Sequence, residues 1–285
     1  MNLDLIKTLT TLNKDTLYRI LCTFLKDHKY KRIWAKEHFI MAEGSDPICL
    51  IAHIDTVFKD TPDKEDFIYD PDKTILWAQG GAGFDDRAGI AAIIELVMRG
   101  HRPHIIFTDL EESGGIGATE LTKVFPNCPF KKCKALIEID RAYFNDCVFY
   151  SCGNKDFIKF IQNYGFLYNE GTFSDIAIIS PVWKIASVNV SAGYLDEHTH
   201  CERLNVSWLY ETIDKIEKII KDSHKMKFYK YKPIESVQRF LYYKDKCAVC
   251  GMPVNLHING VKYKDKNGKY YTLCDDCFID DMIPI

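Results

Sequence analysis

Three short apolar runs, ICLIAHID at 48–55, HIIFTDL at 104–110 and KALIEID at 134–140, constrain this chain more than any other feature. Each is too short for an ordinary helix, and its apolar residues are consecutive rather than alternate, so both faces of the strand it forms must be buried. A helical pattern from about Asp86 to Met98 falls between the first two runs. Doubly buried strands alternating with helices predict an α/β fold, with a mostly parallel or mixed sheet sandwiched by helices. Leu3, Ile6 and Leu9, then Leu17, Ile20, Leu21, Phe24 and Leu25, recur at three- and four-residue steps and predict one or two amphipathic helices ahead of the sheet. Residues 62–79 read as a hairpin excursion. Beyond Asp140 the pattern predicts a strand at 147–151, a helix near 155–164, an apolar run at 183–190 and a long helix from about Val206 to Lys221.

Composition changes after that helix. Residues 225–285 hold 11 Lys and Arg against 7 Asp and Glu, and 7 of the 16 tyrosines, whereas the whole chain has a net charge of −3. Two modules are therefore predicted, 1–227 and 228–285. The near-neutral whole argues against wholesale wrapping of nucleic acid or an anionic membrane. No apolar run is long enough to span a bilayer, and Asp4 stands where a secretory leader would be basic, so a cytoplasmic protein without a membrane partner is expected. Eleven cysteines without an export signal favour thiols and metal sites over a disulfide framework.

Five patches carry unusual side chains, and most fall at the carboxyl ends of predicted strands, the edge where open α/β sheets bind ligands. In AHIDTV, His53 and Asp55 are two apart and share a strand face. A metal-bound imidazole needs an acceptor on its second nitrogen, which Asp55 can supply, although alone the pair reads first as a satisfied structural histidine. In GGAGFDDRAGI, Asp85 and Asp86 precede a helix; N-capping explains one of them, and the glycines around them suggest a tightly turned loop offering oxygen ligands. FTDLEESGG places Glu111 and Glu112 after a strand, where neighbouring side chains diverge, so that one can bind metal and the other carry a proton. IEIDRA ends a strand at Asp140, and GYLDEHTHCE supplies His198, His200 and Glu202. Histidines and carboxylates converging on one edge suit a pair of divalent ions.

AHIDTV, GFDDRAG, LEESGGIGA, IEIDRA and EHTHCE, in this order, resemble the co-catalytic zinc exopeptidase superfamily, and within it the M20 metallopeptidases such as peptidase T and carboxypeptidase G. The resemblance covers roughly residues 48–205 and implies two zinc ions, or cobalt or manganese in their place. It further implies that His53 and Asp140 bind one ion, Glu112 and His198 the other, and that Asp85 bridges them. Asp55 would orient His53, Glu111 would be the general base of amide hydrolysis, and the Asp85–Asp86 peptide would be cis. The implied substrate is a peptide or N-acyl amino acid. The lid that M20 enzymes insert between the fourth and fifth ligands is missing between Asp140 and His198, so a monomer, or a dimer formed without a lid, is expected.

The carboxyl-terminal module carries CAVC at Cys247 and Cys250 and CDDC at Cys274 and Cys277. Two such knuckles predict a zinc ribbon with one structural zinc. Turn signals at Asn259-Gly260 and Asn267-Gly268 predict short hairpins between them. Lys262, Lys264, Lys266 and Lys269 interleave with Tyr263, Tyr270 and Tyr271, a surface with nucleic-acid character. Four thiolates on one zinc ion subtract about two charges, which favours packing or substrate gating over phosphate binding. The alternative to an enzyme is a silent hydrolase scaffold whose ribbon binds nucleic acid or a protein. The other cysteines, Cys22, Cys49, Cys128, Cys133, Cys147, Cys152 and Cys201, default to buried thiols.

Overall fold

In the computed structural model, which describes residues 3–234 apart from 71 and 73 and the backbone of four short strands between 245 and 274, the three apolar runs are strands of one sheet. The chain forms α1 (Leu3–Thr10), α2 (Lys14–Asp27), β1 (Ile33–Lys36), β2 (Phe39–Ala42) and β3 (Asp46–His53). A small excursion supplies β4 (Phe67–Tyr69) and β5 (Ile75–Ala78), followed by α3 (Phe84–Met98), β6 (Pro103–Thr108), α4 (Ile116–Val124) and β7 (Ala135–Arg141). Next come β8 (Asp146–Val148), α5 (Lys155–Gln162), β9 (Leu167–Tyr168), α6 (Asp175–Trp183), β10 (Ser187–Ser191), β11 (Tyr194–Leu195), β12 (Arg203–Asn205) and α7 (Val206–Ser223). Asn13, Asn154 and Asn205 cap α2, α5 and α7 by accepting the amides of Thr16, Phe157 and Trp208.

The large sheet has eight strands in the order β1-β2-β6-β3-β7-β10-β8-β9. Its centre is parallel: β3 pairs with β6 and β7, and β7 with β10. The flanking pairings β1/β2, β2/β6 and β10/β8 are antiparallel, so the sheet is mixed with a parallel core. Alternate residues of β3 explain its unbroken apolar run. Ile48, Leu50 and Ala52 face a layer built with α1, α2, α3 and α7, while Cys49 and Ile51 face a second layer built with α4 and α6. β11, β12, β5 and β4 form a separate four-stranded antiparallel sheet.

The consequence for chemistry is a shared edge. β3, β6 and β7 run parallel and end at His53, Thr108 and Arg141, so Asp55, the Glu111–Glu112 pair and Asp140 lie at or just beyond the same end of the sheet. The helix α6 precedes the expected apolar run at 183–190 and was not anticipated; it ends at Trp183, Lys184 turns at φ 60°, and the strand begins at Ser187. Cys201 is exposed rather than buried, because it sits in a turn outside the core, whereas Cys49, Cys133, Cys147 and Cys152 are buried.

The chain divides into two units, Met1–Pro233 and Ile234–Ile285. Residues 229–232 belong to the first: Tyr229 donates to the Lys134 carbonyl, Tyr231 to that of Lys184, and Gly153 to that of Lys232. In the second unit, Asp245–Lys246 pairs with Pro253–Val254, and Gly260–Lys264 pairs antiparallel with Tyr270–Cys274. Cys247, Cys250, Cys277 and the side chain of Cys274 lie outside the described residues. No helix among the described residues is long and apolar enough to cross a membrane.

Candidate metal centre

Asp85 stands at the middle of the site. Its Oδ1 lies 3.0 Å from His53 Nε2, and its Oδ2 lies 3.2 Å from His198 Nε2. On the first side, Asp140 Oδ1 is 3.5 Å from His53 Nε2; on the second, Glu112 Oε1 is 2.8 Å from His198 Nε2. Ligand atoms of His53, Asp85 and Asp140 all lie within 4.8 Å of one another, as do those of Asp85, Glu112 and His198. The two groups share Asp85 through opposite oxygens, the arrangement of a carboxylate that serves two cations. Five residues from five segments, between positions 53 and 198, are thus brought together.

The adjacent acids divide their work as their backbone dictates. The Asp85–Asp86 peptide is cis, and both residues depart from helical dihedrals at the start of α3. Asp86 takes the capping role: its Oδ1 accepts the Gly89 amide at 2.9 Å and its Oδ2 the His53 amide at 3.3 Å. Asp85 is left to face the histidines.

Asp55 does not approach the shared centre through its own carboxylate. Its carbonyl lies 3.1 Å and its Oδ1 3.3 Å from His53 Nδ1, so it fixes the nitrogen that points away from Asp85. Its two oxygens also accept the amides of Glu111 and Glu112, each at 3.1 Å. One buried carboxylate therefore aligns a histidine on β3 and both glutamates after β6. Burial pushes the Asp55 carboxyl up, but His53 and the two amides outweigh it and hold it below the ordinary value.

The remaining acids are perturbed by burial and by one another. Burial, followed by Asp140 and against the pull of His53, raises Glu111 to about 9. Burial and then Asp85 raise Glu112 to about 7, and burial likewise raises Asp140. Asp85 holds His198 up to about 9 against desolvation. His53 is fully buried, which disfavours its charge, yet Asp140, Asp55 and Asp85 raise its proton affinity well above 6.5. So many buried carboxylates, with two imidazoles among them, call for positive charge, and nitrogen and oxygen donors in two groups of three fit divalent ions.

Two residues that the sequence reading did not select join the site, and so does Glu202, which it named in the fifth patch without a role. Tyr194 donates from its hydroxyl to Asp140 Oδ1 at 3.1 Å, and Asn189 Oδ1 accepts the Asp140 amide at 2.9 Å. Glu202, which is fully buried, accepts backbone amides ahead of α3. Asn189 within an apolar run and Tyr194 ahead of the charged part of GYLDEHTHCE carry no signal by themselves, whereas Glu202 lay inside the EHTHCE string. His200 stands apart from both groups, its Nδ1 3.0 Å from the Gly80 carbonyl.

No protein-family model and no curated protein matches this sequence. Solved structures do match its fold. A tripeptidase from Staphylococcus aureus subsp. aureus Mu50 superposes with a TM-score of 0.62 at 17% identity, over 79% of this chain and 98% of that one. Aminopeptidase PepT from Bacillus cereus ATCC 10987 does so with 0.61 at 13%, over 77% and 97%. The TET1 peptidase of Pyrococcus horikoshii, which can assemble into a tetrahedron or a large octahedral shell, gives 0.54 at 13%, over 76% and 98%. At these identities the likeness is one of fold.

Proposed function

We propose that the first unit is a dinuclear metal hydrolase that cleaves a peptide or acyl-amide bond. The observation that carries this reading is Asp85, whose two oxygens address two separate histidine–carboxylate groups. His53 and Asp140 would hold one ion, Glu112 and His198 the other, and Asp85 both. When bound, such ions supply a Lewis acid for the scissile carbonyl and lower the pKa of water.

Glu111 is the proton carrier. It lies beside the site without belonging to either ligand group, and its amide is anchored on Asp55 while its carboxylate is left for chemistry. It takes a proton from the attacking water and delivers it to the leaving amine. Burial raises Glu111, and cations held by the neighbouring ligands would act against that rise and favour its carboxylate form, the form a base needs. Asp55 keeps His53 and both glutamates in register, and Tyr194 and Asn189 restrain Asp140.

Tripeptidase and aminopeptidase structures among the fold neighbours support short peptides as the substrate class, and N-acyl amino acids carry the same bond. The ordered motif strings support the M20 branch, with zinc as the resident metal and cobalt or manganese as substitutes. The cysteines at 247, 250, 274 and 277 would hold a further, structural zinc.

Metal content and turnover test the proposal together. Purified full-length chain should carry about three zinc ions, falling to about two when Cys247 and Cys250 are replaced by Ser. A panel of dipeptides, tripeptides and N-acyl amino acids should reveal amine release that Glu111→Gln lowers by at least about 10²-fold with metal retained. Only one zinc per chain, held by the cysteines, would overturn the reading.

A further inference from the structure

The N-cap position of α3 is Gly83, at φ 68° and ψ 39°, which has no side chain to accept an amide, and within the helix Asp86 serves only the Gly89 amide further along. The start of a helix leaves amide donors without partners inside it, and these lie in a buried segment where water cannot replace them. They converge on one side chain from 117 to 120 positions further along the chain. Glu202 Oε2 accepts the amides of Ala82 at 3.1 Å, Gly83 at 2.6 Å and Phe84 at 3.1 Å, and its Oε1 accepts that of Asp85 at 3.0 Å. Glu202 is 0% exposed. Its own amide donates to the Thr199 carbonyl at 3.1 Å, which closes the turn that follows His198.

One carboxylate therefore ties the segment that carries His198 to the backbone of Asp85 itself. We infer that Glu202 is the positioning residue of the metal centre, acting through the Asp85 amide to hold that carboxylate between His53 and His198. Glutamine in its place would put an N–H₂ group against backbone donors, leaving at least one of the four amides without an acceptor. The Asp85 segment and the His198 turn would then be free to separate. This inference rests on the dinuclear reading proposed above.

Manganese binding by the full-length chain, followed by electron paramagnetic resonance of free Mn²⁺, is the test, because four thiolates compete poorly for this ion. Glu202→Gln should weaken Mn²⁺ affinity about 10- to 100-fold, the usual effect of losing a partner that orients a ligand. Leu21→Ala, on α2 and in the core, is the comparison for instability alone: it should lower the thermal midpoint and leave Mn²⁺ affinity unchanged. Should Glu202→Gln not fold, Glu202→Asp, which keeps the charge but shortens the arm, is read in the same titration and should also bind more weakly. Wild-type affinity in the Glu202 variant, or an equal loss in Leu21→Ala, would overturn the inference. Absence of Mn²⁺ binding by the wild type would instead overturn the dinuclear reading, and the role of Glu202 with it.

Discussion

At the scale of single residues, Asp55 shows how much of the site is held from behind. Its carboxylate meets His53 Nδ1 and the amides of both Glu111 and Glu112. Asp55→Ala should therefore lower metal affinity by about 10- to 100-fold, measured by competition with a chelator, and lower turnover at saturating metal as well, because Glu111 loses its anchor. His104 is the corresponding case in the core. It is buried against Phe130, with ring centroids 4.6 Å apart; its Nδ1 accepts the Gly44 amide and its Nε2 donates to the Lys131 carbonyl. Burial lowers it to about 4. The unfolded chain then binds a proton first, so stability is complete above pH 6.5 and is lost as the pH falls towards 4. Between pH 7 and 4.5 the wild type should lose about 2 to 3 kcal/mol more than His104→Gln, read from urea midpoints.

At the scale of elements, α3 and β7 meet more closely than side chains allow. A Cβ on Gly89 would stand 2.1 Å from the Ile139 carbonyl oxygen and 2.5 Å from both Asp86 oxygens. Gly89→Ala should cost at least about 3 kcal/mol in chemical denaturation, and it should weaken metal binding too, since Asp86 and Asp140 flank the contact. That glycine could be seen in GFDDRAG, but the contact that requires it could not. The doubly buried strands were legible because consecutive apolar residues such as Leu50 and Ile51 serve opposite layers. The five residues that cluster around Asp85 stand in the quoted motifs, and the cis peptide was expected through the resemblance alone. α6 was hidden: DIAIISPVW is apolar on nearly every side and contains Pro181, so no period separates it from the strand that follows. Tyr194 and Asn189 were hidden because their partners are distant in sequence.

At the scale of the whole molecule, the chain consists of Met1–Pro233 and Ile234–Ile285, and the two histidine–carboxylate groups found among the described residues lie in the first. Replacing Cys274 and Cys277 by Ser should remove one zinc per chain, read by metal analysis of the purified protein.

His53 and His198 both depend on Asp85, but they leave the ribosome 145 positions apart. Translation proceeds from the amino end, so a half-made chain holds three of the partners with nothing to complete the second group. The paired site proposed above would therefore be complete only once the chain has been made past His198, and a shorter nascent copy would carry the first group without the second.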